Sequence, residues 1–298
     1  MTLTPAPDAA GRLPGPAPRG PASLSFGGLS RTSAPFASSA SSPPSSLALR
    51  VCCEFGLTAV LLLGVVTGVR WLFAPDGYGG GGVAFTVLGA GVGALLAVLM
   101  LSAPGRCSGA HLNPAVTLAL WRLGAFPGRD VLPYCLAQLG GSVVGTWLAA
   151  VVWGPVVARP PVGFAVVRPG PGWGEGAVVV AEGGVVAASA LMLAGLLGRP
   201  VGRRLLPYAV GLVTALVIAL LGPLTGGSAN PARQFGPVLL AGEVGRLWVY
   251  AAGPVLGAVA GAVLGRRAGT VGSRRPGAVP GRRGGAGFGG PPGGPGTP

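Results

Sequence analysis

The chain contains no lysine, a single histidine and only seven acidic residues among its 298 positions. Charged residues make up 9% of the sequence, whereas half of it is hydrophobic, and the mean hydropathy is +0.65. A soluble domain of this length carries far more charge. The scarcity of charge therefore places the chain in a lipid bilayer.

The sequence also lacks a constellation of residues that would support catalysis. No nucleophile accompanies a base, and no metal-binding cluster or phosphate-binding loop is present. The four cysteines do not form a disulfide framework, and packed thiols explain them better than metal or redox chemistry does. They are Cys52, Cys53, Cys107 and Cys135. We predict that the protein is not an enzyme and holds neither metal nor cofactor.

Six long apolar runs with few charges are present, each of a length that can cross a bilayer. They cover residues 51–69, 83–101, 131–153, 176–198, 205–224 and 247–265. Glycine and alanine are frequent in them, as expected where helices pack closely in lipid. The sequence predicts an all-α membrane protein with six transmembrane helices and with both termini on one side.

Two tails flank this membrane domain, which we place at residues 47–265. Residues 1–46 are rich in Ser, Pro, Ala and Gly, and residues 266–298 are rich in Gly, Pro and Arg. Such segments bury too little apolar surface to offset the entropy of ordering, so we expect both to be disordered. The N-terminal tail also lacks the apolar core of a signal peptide.

The net charge of +14 is unevenly distributed along the chain. Of the 21 arginines, 16 lie before span one, after span six, or in the connections after spans two and four. This asymmetry follows the positive-inside rule and predicts a multi-pass plasma-membrane protein with both tails in the cytoplasm. The basic C-terminal tail suits contact with anionic lipid. No nucleic-acid partner is expected, since no binding fold or stacking aromatics accompany the charge.

The chain has only two asparagines, Asn113 and Asn230, and each begins an Asn-Pro-Ala tripeptide. Each tripeptide precedes about ten mostly apolar residues, 115–124 and 232–241. These segments are long enough for about half a bilayer. Asparagine suits an N-cap and proline the first helical position, so each tripeptide predicts the start of a re-entrant half-helix. The tripeptides are Asn113, Pro114, Ala115 and Asn230, Pro231, Ala232.

The predicted topology places the two tripeptides on opposite faces of the membrane. Half-helices that fold inward from both faces would bring two positive dipole ends and two amides together near the midplane. Amide donors suit a neutral solute that carries oxygen, while the positive ends oppose cations and interrupt proton transfer along a water chain. The residues thus predict passage of a solute rather than catalysis.

An internal duplication supports this arrangement. Glu54 and Glu182 are the sole acidic residues of spans one and four, and Asn113 matches Asn230. Gln138 and Gly141 in span three likewise correspond to Pro254 and Gly257 in span six. Three spans are therefore repeated once, at about residues 47–155 and 176–265. An odd number of spans makes the two copies inverted in the membrane.

The segments Ser-Gly-Ala-His-Leu-Asn-Pro-Ala-Val at 108–116 and Gly-Gly-Ser-Ala-Asn-Pro-Ala-Arg at 226–233 resemble the two signature loops of the aquaporin and glycerol-facilitator family. The resemblance covers about residues 47–265. It implies an aquaporin-like bundle of six helices and two half-helices, a homotetramer with one pore per subunit, and water and small neutral solutes as permeants.

The resemblance also implies a selectivity filter that contains Arg233, one helical turn beyond Asn230. Ungapped counting from the two asparagines places Gly93, Ile218 and Gly227 in the same ring. Water-selective members carry an aromatic residue, a histidine and a small residue there. Two glycines and one aliphatic residue predict a wider ring that admits glycerol-like solutes or metalloid hydroxides as well as water.

Several alternatives remain open from the sequence. Glu54 and Glu182 are expected to accept hydrogen bonds from the re-entrant backbone, although a proton-carrying role is the competing interpretation. His111 is expected to support its loop, against a role in pH gating. For the whole protein, the alternatives are a strict water channel, an ion-coupled transporter with broken helices and a non-conducting scaffold.

Overall fold

A computed structural model describes residues 45–78 and 81–269, all of which belong to one compact unit. The tails predicted to be disordered lie almost entirely outside these residues, in 1–44 and 270–298. The described part of the chain is helical and contains no strand. Its α-helices are α1 (Leu47–Phe73), α2 (Gly81–Leu101), α3 (Ala103–Ser108), α4 (Pro114–Arg122), α5 (Val131–Trp153), α6 (Glu175–Leu197), α7 (Pro200–Leu221), α8 (Pro231–Ala241) and α9 (Leu247–Arg267).

Six of these helices, α1, α2, α5, α6, α7 and α9, are long and apolar enough to cross a membrane. The prediction of six spans is therefore confirmed. Some helices extend beyond the predicted spans, because capping residues and arginines outside the apolar runs are also helical or begin the helix. For example, α1 begins four residues earlier, where the Ser46 hydroxyl accepts a hydrogen bond from the Leu49 amide. Helix α9 continues through Arg266 and Arg267.

The short helix α3 was not predicted from the sequence. Ser102 caps its N-terminus by accepting from the Gly105 amide, and Pro104 lies in its first turn. Gly109 ends the helix in the left-handed region, at φ 95°. These are ordinary capping signals. They were hidden because the segment directly follows the apolar run of α2.

The repeat is visible in how α1 packs on α5 and α6 packs on α9. A Cβ added at Gly141 would overlap the Phe55 carbonyl, and one at Gly257 would overlap the Gly183 carbonyl. Phe55 and Gly183 each follow the acidic residue of their span. Four residues further along, Gly145 and Gly261 make the equivalent contacts with Ala59 and Ala187. Each repeat therefore joins its first and third spans, in parallel, through the same close backbone contact.

The two half-helices, α4 and α8, each pack on a full span of the other repeat. Helix α4 lies against α9, and α8 lies against α5. We call the side where α1 begins the N-terminal face and the opposite side the distal face. Since successive spans reverse direction, α4 enters from the N-terminal face and α8 from the distal face. Their N-termini meet inside the bundle.

Candidate functional site: a conduit between two asparagine-capped half-helices

Each asparagine caps its own half-helix with its side-chain oxygen. Asn113 Oδ1 accepts from the Ala115 amide at 2.8 Å. Asn230 Oδ1 accepts from the Ala232 amide at 2.9 Å and from the Arg233 amide at 3.3 Å. Both asparagines have extended backbone, and both half-helices continue with proline. The caps fix where each helix begins and therefore where its positive end lies.

The same two side chains join the loops to each other. Asn113 Nδ2 donates to the Ala229 carbonyl at 2.9 Å, and Asn230 Nδ2 donates to the Leu112 carbonyl at 2.9 Å. Each bond therefore runs from one asparagine to the residue that precedes the other. An amide nitrogen carries two hydrogens, so each asparagine keeps one donor for a solute. Both side chains line the central cavity.

Glu54 supports the loop before Asn113 and is completely buried. Its two oxygens accept from the His111 amide at 3.0 Å and from the Leu112 amide at 2.9 Å. Gln138 Nε2 donates to the same carboxylate at 2.8 Å. Leu112 lies in the left-handed region at φ 51°, a costly conformation for a branched residue. The carboxylate compensates by satisfying backbone donors that no helix or strand can satisfy.

Glu182, also completely buried, does the same for the loop before Asn230. It accepts from the amides of Ser228, at 3.1 Å, and Ala229. Its third partner is the Thr225 hydroxyl, at 2.7 Å. Ala229 lies at φ 48°. The two buried carboxylates thus occupy equivalent places, but a glutamine assists one and a threonine the other.

His111 lies on the N-terminal side of the asparagines, buried and at the wall of the cavity. Its Nδ1 is 3.1 Å from the Thr117 hydroxyl. Phe126 and Tyr134 pack against the imidazole at centroid distances of 4.7 and 5.1 Å. The ring is therefore held on one edge by a hydroxyl and on its sides by two aromatic rings.

A cavity of about 850 Å³ runs past both asparagines, and its lining residues come from both faces of the bundle. Helix α2 contributes an apolar stripe, and Arg233 and the two loops provide polar groups. The stripe is formed by Phe85, Leu88, Val92, Leu96 and Met100. The conduit is consequently apolar along α2 and polar at the loops, which suits an uncharged solute with hydroxyl or amide groups.

Arg233 lines this cavity one turn from Asn230. Its Nη1 donates to the Ala165 carbonyl at 2.7 Å. Ala165 belongs to a segment of residues 163–168, which we call the strap and which packs against α8. The guanidinium is thus fixed by a backbone oxygen, and its remaining donors are free to face the conduit.

The expectation that Gly93 lines the constriction has to be corrected. Gly93 is buried and absent from the cavity wall, and a Cβ added there would overlap the Gly211 carbonyl of α7. Its role is to let α2 approach α7 closely. Val92, one residue earlier, faces the cavity instead. The residue chosen by ungapped counting is therefore the neighbour of the one that faces the cavity.

Ile218 and Gly227 do line the cavity, but Gly227 does so for an unexpected reason. It lies at φ 60°, and a Cβ added there would point toward α7, 2.9 Å from the Val217 carbonyl. The glycine is required by its backbone conformation and by this close approach. The missing side chain therefore leaves no extra space in the conduit, and neither glycine widens the ring as the sequence analysis expected.

Two residues with no role predicted from the sequence, Gln234 and Ser142, help to position the site. Gln234 is buried and hydrogen-bonds to the strap. Ser142 of α5 accepts from the Gly236 amide at 2.9 Å and donates to the Ala232 carbonyl. A glutamine next to Arg233 and a serine in an apolar span are polar residues that indicate a buried hydrogen-bond partner. Their partners are distant in sequence, so the pairing was not predictable.

Comparison with known proteins agrees with this geometry. The chain matches the major intrinsic protein family over residues 41–264. It is 42% identical over 175 residues to the probable aquaporin AqpM of Archaeoglobus fulgidus, covering 56% of this chain and 70% of the relative. It is 36% identical over 178 residues to the propanediol uptake facilitator PduF of Citrobacter freundii, covering 52% of this chain and 63% of that protein.

The fold also resembles a solved structure, the X-ray structure of the aquaglyceroporin from Plasmodium falciparum. The TM-score is 0.63 at 22% sequence identity, and the match covers 74% of this chain and 95% of that one. Six spans, two inward half-helices and a shared cavity define a membrane channel for water and small solutes. The chain belongs to the major intrinsic protein family.

Proposed function

We propose that the protein is a passive channel that conducts water together with small uncharged solutes such as glycerol, propanediol or metalloid hydroxides, and that excludes ions and protons. One observation carries this proposal: a single cavity is lined by both asparagines, by Arg233 and by residues from both faces. The similarity to a propanediol facilitator supports a solute larger than water.

Exclusion of charge follows from the polar groups of the conduit. The N-termini of α4 and α8 meet where Asn113 and Asn230 lie, and their positive ends oppose cations at that point. The Arg233 guanidinium adds a full positive charge at the distal constriction. Solute hydroxyls are then oriented by amide and guanidinium donors, which a hydrated cation cannot use.

The outer constriction in this proposal consists of Arg233, Ile218, Gly227 and Val92, the last in place of Gly93. Ile218 and Val92 are aliphatic, so one side of the ring offers no hydrogen bond. Such a ring favours a solute that presents an apolar edge to α2 and α7 and its hydroxyls to Arg233. Glycerol and propanediol have this character.

A strict water channel is the second candidate, and it is favoured by two aromatic side chains at the distal mouth. Phe73 and Phe85 both line the cavity and pack edge to face at 5.0 Å. They narrow the conduit between the distal face and Arg233. If they set the width, water passes and polyols do not.

Stopped-flow light scattering of proteoliposomes separates the two candidates. Swelling with glycerol and urea is compared with water-driven shrinkage, with empty liposomes as the baseline. We expect wild-type glycerol flux above baseline, linear in concentration and indifferent to a proton gradient. Water flux without glycerol flux establishes the strict channel, and Phe85→Ala then raises the glycerol-to-water ratio. Saturating, gradient-dependent flux would establish a coupled transporter.

Charge exclusion is measured separately with a pH-sensitive dye trapped in the same vesicles. We expect no proton flux through the wild type and measurable flux through Arg233→Ala, because the substitution removes the fixed charge. Equal proton flux in the two would overturn the role of Arg233. Absence of water flux in the wild type would instead identify a non-conducting scaffold.

We further propose a plasma-membrane location with both termini in the cytoplasm, so that the N-terminal face is the cytoplasmic one, and a homotetramer with one conduit per subunit. The arginine asymmetry supports the orientation. Exposed apolar side chains on the outer surface of the bundle are available to lipid or to other subunits; they include Trp147, Val151, Leu212, Leu216 and Leu220. Cysteine-accessibility labelling at Ala268 and native mass spectrometry test the two points.

A further inference from the structure

Gln234 uses both ends of its side-chain amide on a single residue of the strap. Its Oε1 accepts from the Val167 amide at 2.9 Å, and its Nε2 donates to the Val167 carbonyl at 2.8 Å. The side chain is 1% exposed. The two bonds have the pattern that a neighbouring β-strand would make, and they fix the orientation of the Val167 backbone.

The strap needs such support because its backbone is unfavourable. Gly163, Phe164 and Ala165 have φ values of 47°, 53° and 60°. The left-handed region is sterically unfavourable for every non-glycine residue. Contacts outside the strap must therefore hold it in place, and the Val167 amide pairing is the buried one that lies nearest to Ala165.

Two further contacts connect the strap to the constriction. The Ala165 carbonyl, two residues before Val167, receives Arg233 Nη1 at 2.7 Å. The Val167 side chain fills the space beside Gly226, where an added Cβ would overlap it. Anything that displaces Val167 would therefore move both the anchor of Arg233 and the loop that contains Gly227.

We propose that Gln234 is a positioning residue for the distal constriction. By fixing Val167, it holds the Ala165 carbonyl where that oxygen orients the Arg233 guanidinium, and it thereby sets which uncharged solutes pass. This inference rests on the proposed channel function and adds to it a residue that does not itself line the conduit.

The pairing demands a group that both donates and accepts. Glutamate has the same shape, but its ionised form cannot donate to the Val167 carbonyl, whereas its protonated form can. Methionine fills a similar volume and can do neither. Gln234→Glu therefore makes the pairing depend on pH, and Gln234→Met removes it at every pH.

Other charged groups near this site must be considered in a pH experiment. Arg233 is the neighbour of Gln234 on α8, and Arg168 lies in the strap, paired with Glu243 at the end of α8. Glu182 of α6 and Tyr250 of α9 act electrostatically on Arg233. All of them are present in the wild type, so a pH effect confined to Gln234→Glu belongs to the new carboxyl group.

The test measures the glycerol-to-water permeability ratio in proteoliposomes between pH 4 and pH 8. The wild type should show a constant ratio. Gln234→Glu should match the wild type at the acid end, where the carboxyl is protonated, and depart from it at the alkaline end by at least about threefold, or ~0.7 kcal/mol. Gln234→Met should show the altered ratio throughout.

Glu243→Gln is the matched control, because it loosens only the exposed end of the strap and should keep the wild-type ratio. A residue with a purely structural role would lower yield and thermal stability without changing the ratio. A pH-independent, wild-type ratio in Gln234→Glu, or an unchanged ratio in Gln234→Met if the first variant fails to assemble, overturns the proposal. Failure of the channel function itself is recognised separately, as absence of wild-type flux above empty liposomes.

Discussion

Helices α4 and α8 both begin with an asparagine cap and a proline, but they are attached to their neighbours by different means. Helix α4 packs on α9 through small apolar side chains, with Ala115 and Ala119 against Ala258. Helix α8 is attached to α5 by the Ser142 hydroxyl. Ala258 occupies the repeat position equivalent to Ser142, next to the matched glycines.

The surroundings of the two half-helices differ more than their attachments. Both loops have a buried carboxylate and an asparagine that bonds to the other loop. Only the distal half adds an arginine to the conduit beside its asparagine, together with a strap that orients it. The shared elements form the frame. We propose that the arginine and the strap, which only the distal half has, discriminate between solutes.

The largest effect should come from the buried carboxylates, which belong to the shared frame. In the wild type, both carboxylate oxygens accept from backbone N–H groups. Glu54→Gln and Glu182→Gln each replace one of these oxygens with an NH2 group, which donates and cannot accept. Each substitution leaves more than one buried polar group unsatisfied, a backbone N–H and the new amide hydrogens, and each such group costs about 1–3 kcal/mol. We expect both variants to lose thermal stability in detergent and most of their water flux.

The solute selectivity of the flux that remains in each variant should distinguish the two halves of the molecule. Glu182→Gln disturbs the loop that leads to Arg233, so its residual glycerol-to-water ratio should change, whereas that of Glu54→Gln should stay near the wild type. Glu243→Gln is the exposed control and should be close to neutral. Wild-type stability in either buried variant would contradict the view that the carboxylates hold the loops.

A smaller effect is expected from the two asparagines. Asn113→Asp and Asn230→Asp keep the oxygen that caps the helix but lose the hydrogen that reaches the opposite loop. Each should destabilise the protein by about 1–3 kcal/mol, since a buried carbonyl loses its donor. The added negative charge should also admit cations, measured as sodium-driven vesicle swelling.

The two aspartate substitutions should not be independent, because both bonds join the same pair of loops. A double-mutant cycle on unfolding free energy should give a coupling of about 0.5–3 kcal/mol. Strict additivity would show that each bond stabilises only its own loop. Asn230→Asp should be the more disruptive for solute selection, since the new carboxylate lies one helical turn from Arg233 and attracts its guanidinium.

The features that could be predicted from the sequence are those encoded locally. Composition and run length predicted the six spans, and Asn-Pro predicted the starts of α4 and α8, because caps act within a few residues. The cavity-facing side of α2 could not be predicted, since Gly89 and Gly93 both contact α7 and the facing residue depends on that packing. The role of Gly227 could not be predicted either, because the identity of a residue does not show whether its φ is positive.

The smallest effect should come from the attachment found in only one half. The Ser142 hydroxyl lies between the Ala232 carbonyl and the Gly236 amide, which are four residues apart and would pair directly in an uninterrupted helix. In Ser142→Ala, α8 can close this bond itself, as α4 does without a serine. We therefore expect a loss of only about 1 kcal/mol in unfolding free energy and an unchanged glycerol-to-water ratio. Thr146→Val is the control, since that buried hydroxyl of α5 donates to its own helix and does not line the cavity. A loss above about 3 kcal/mol would show that α8, unlike α4, depends on a partner span for its helical geometry.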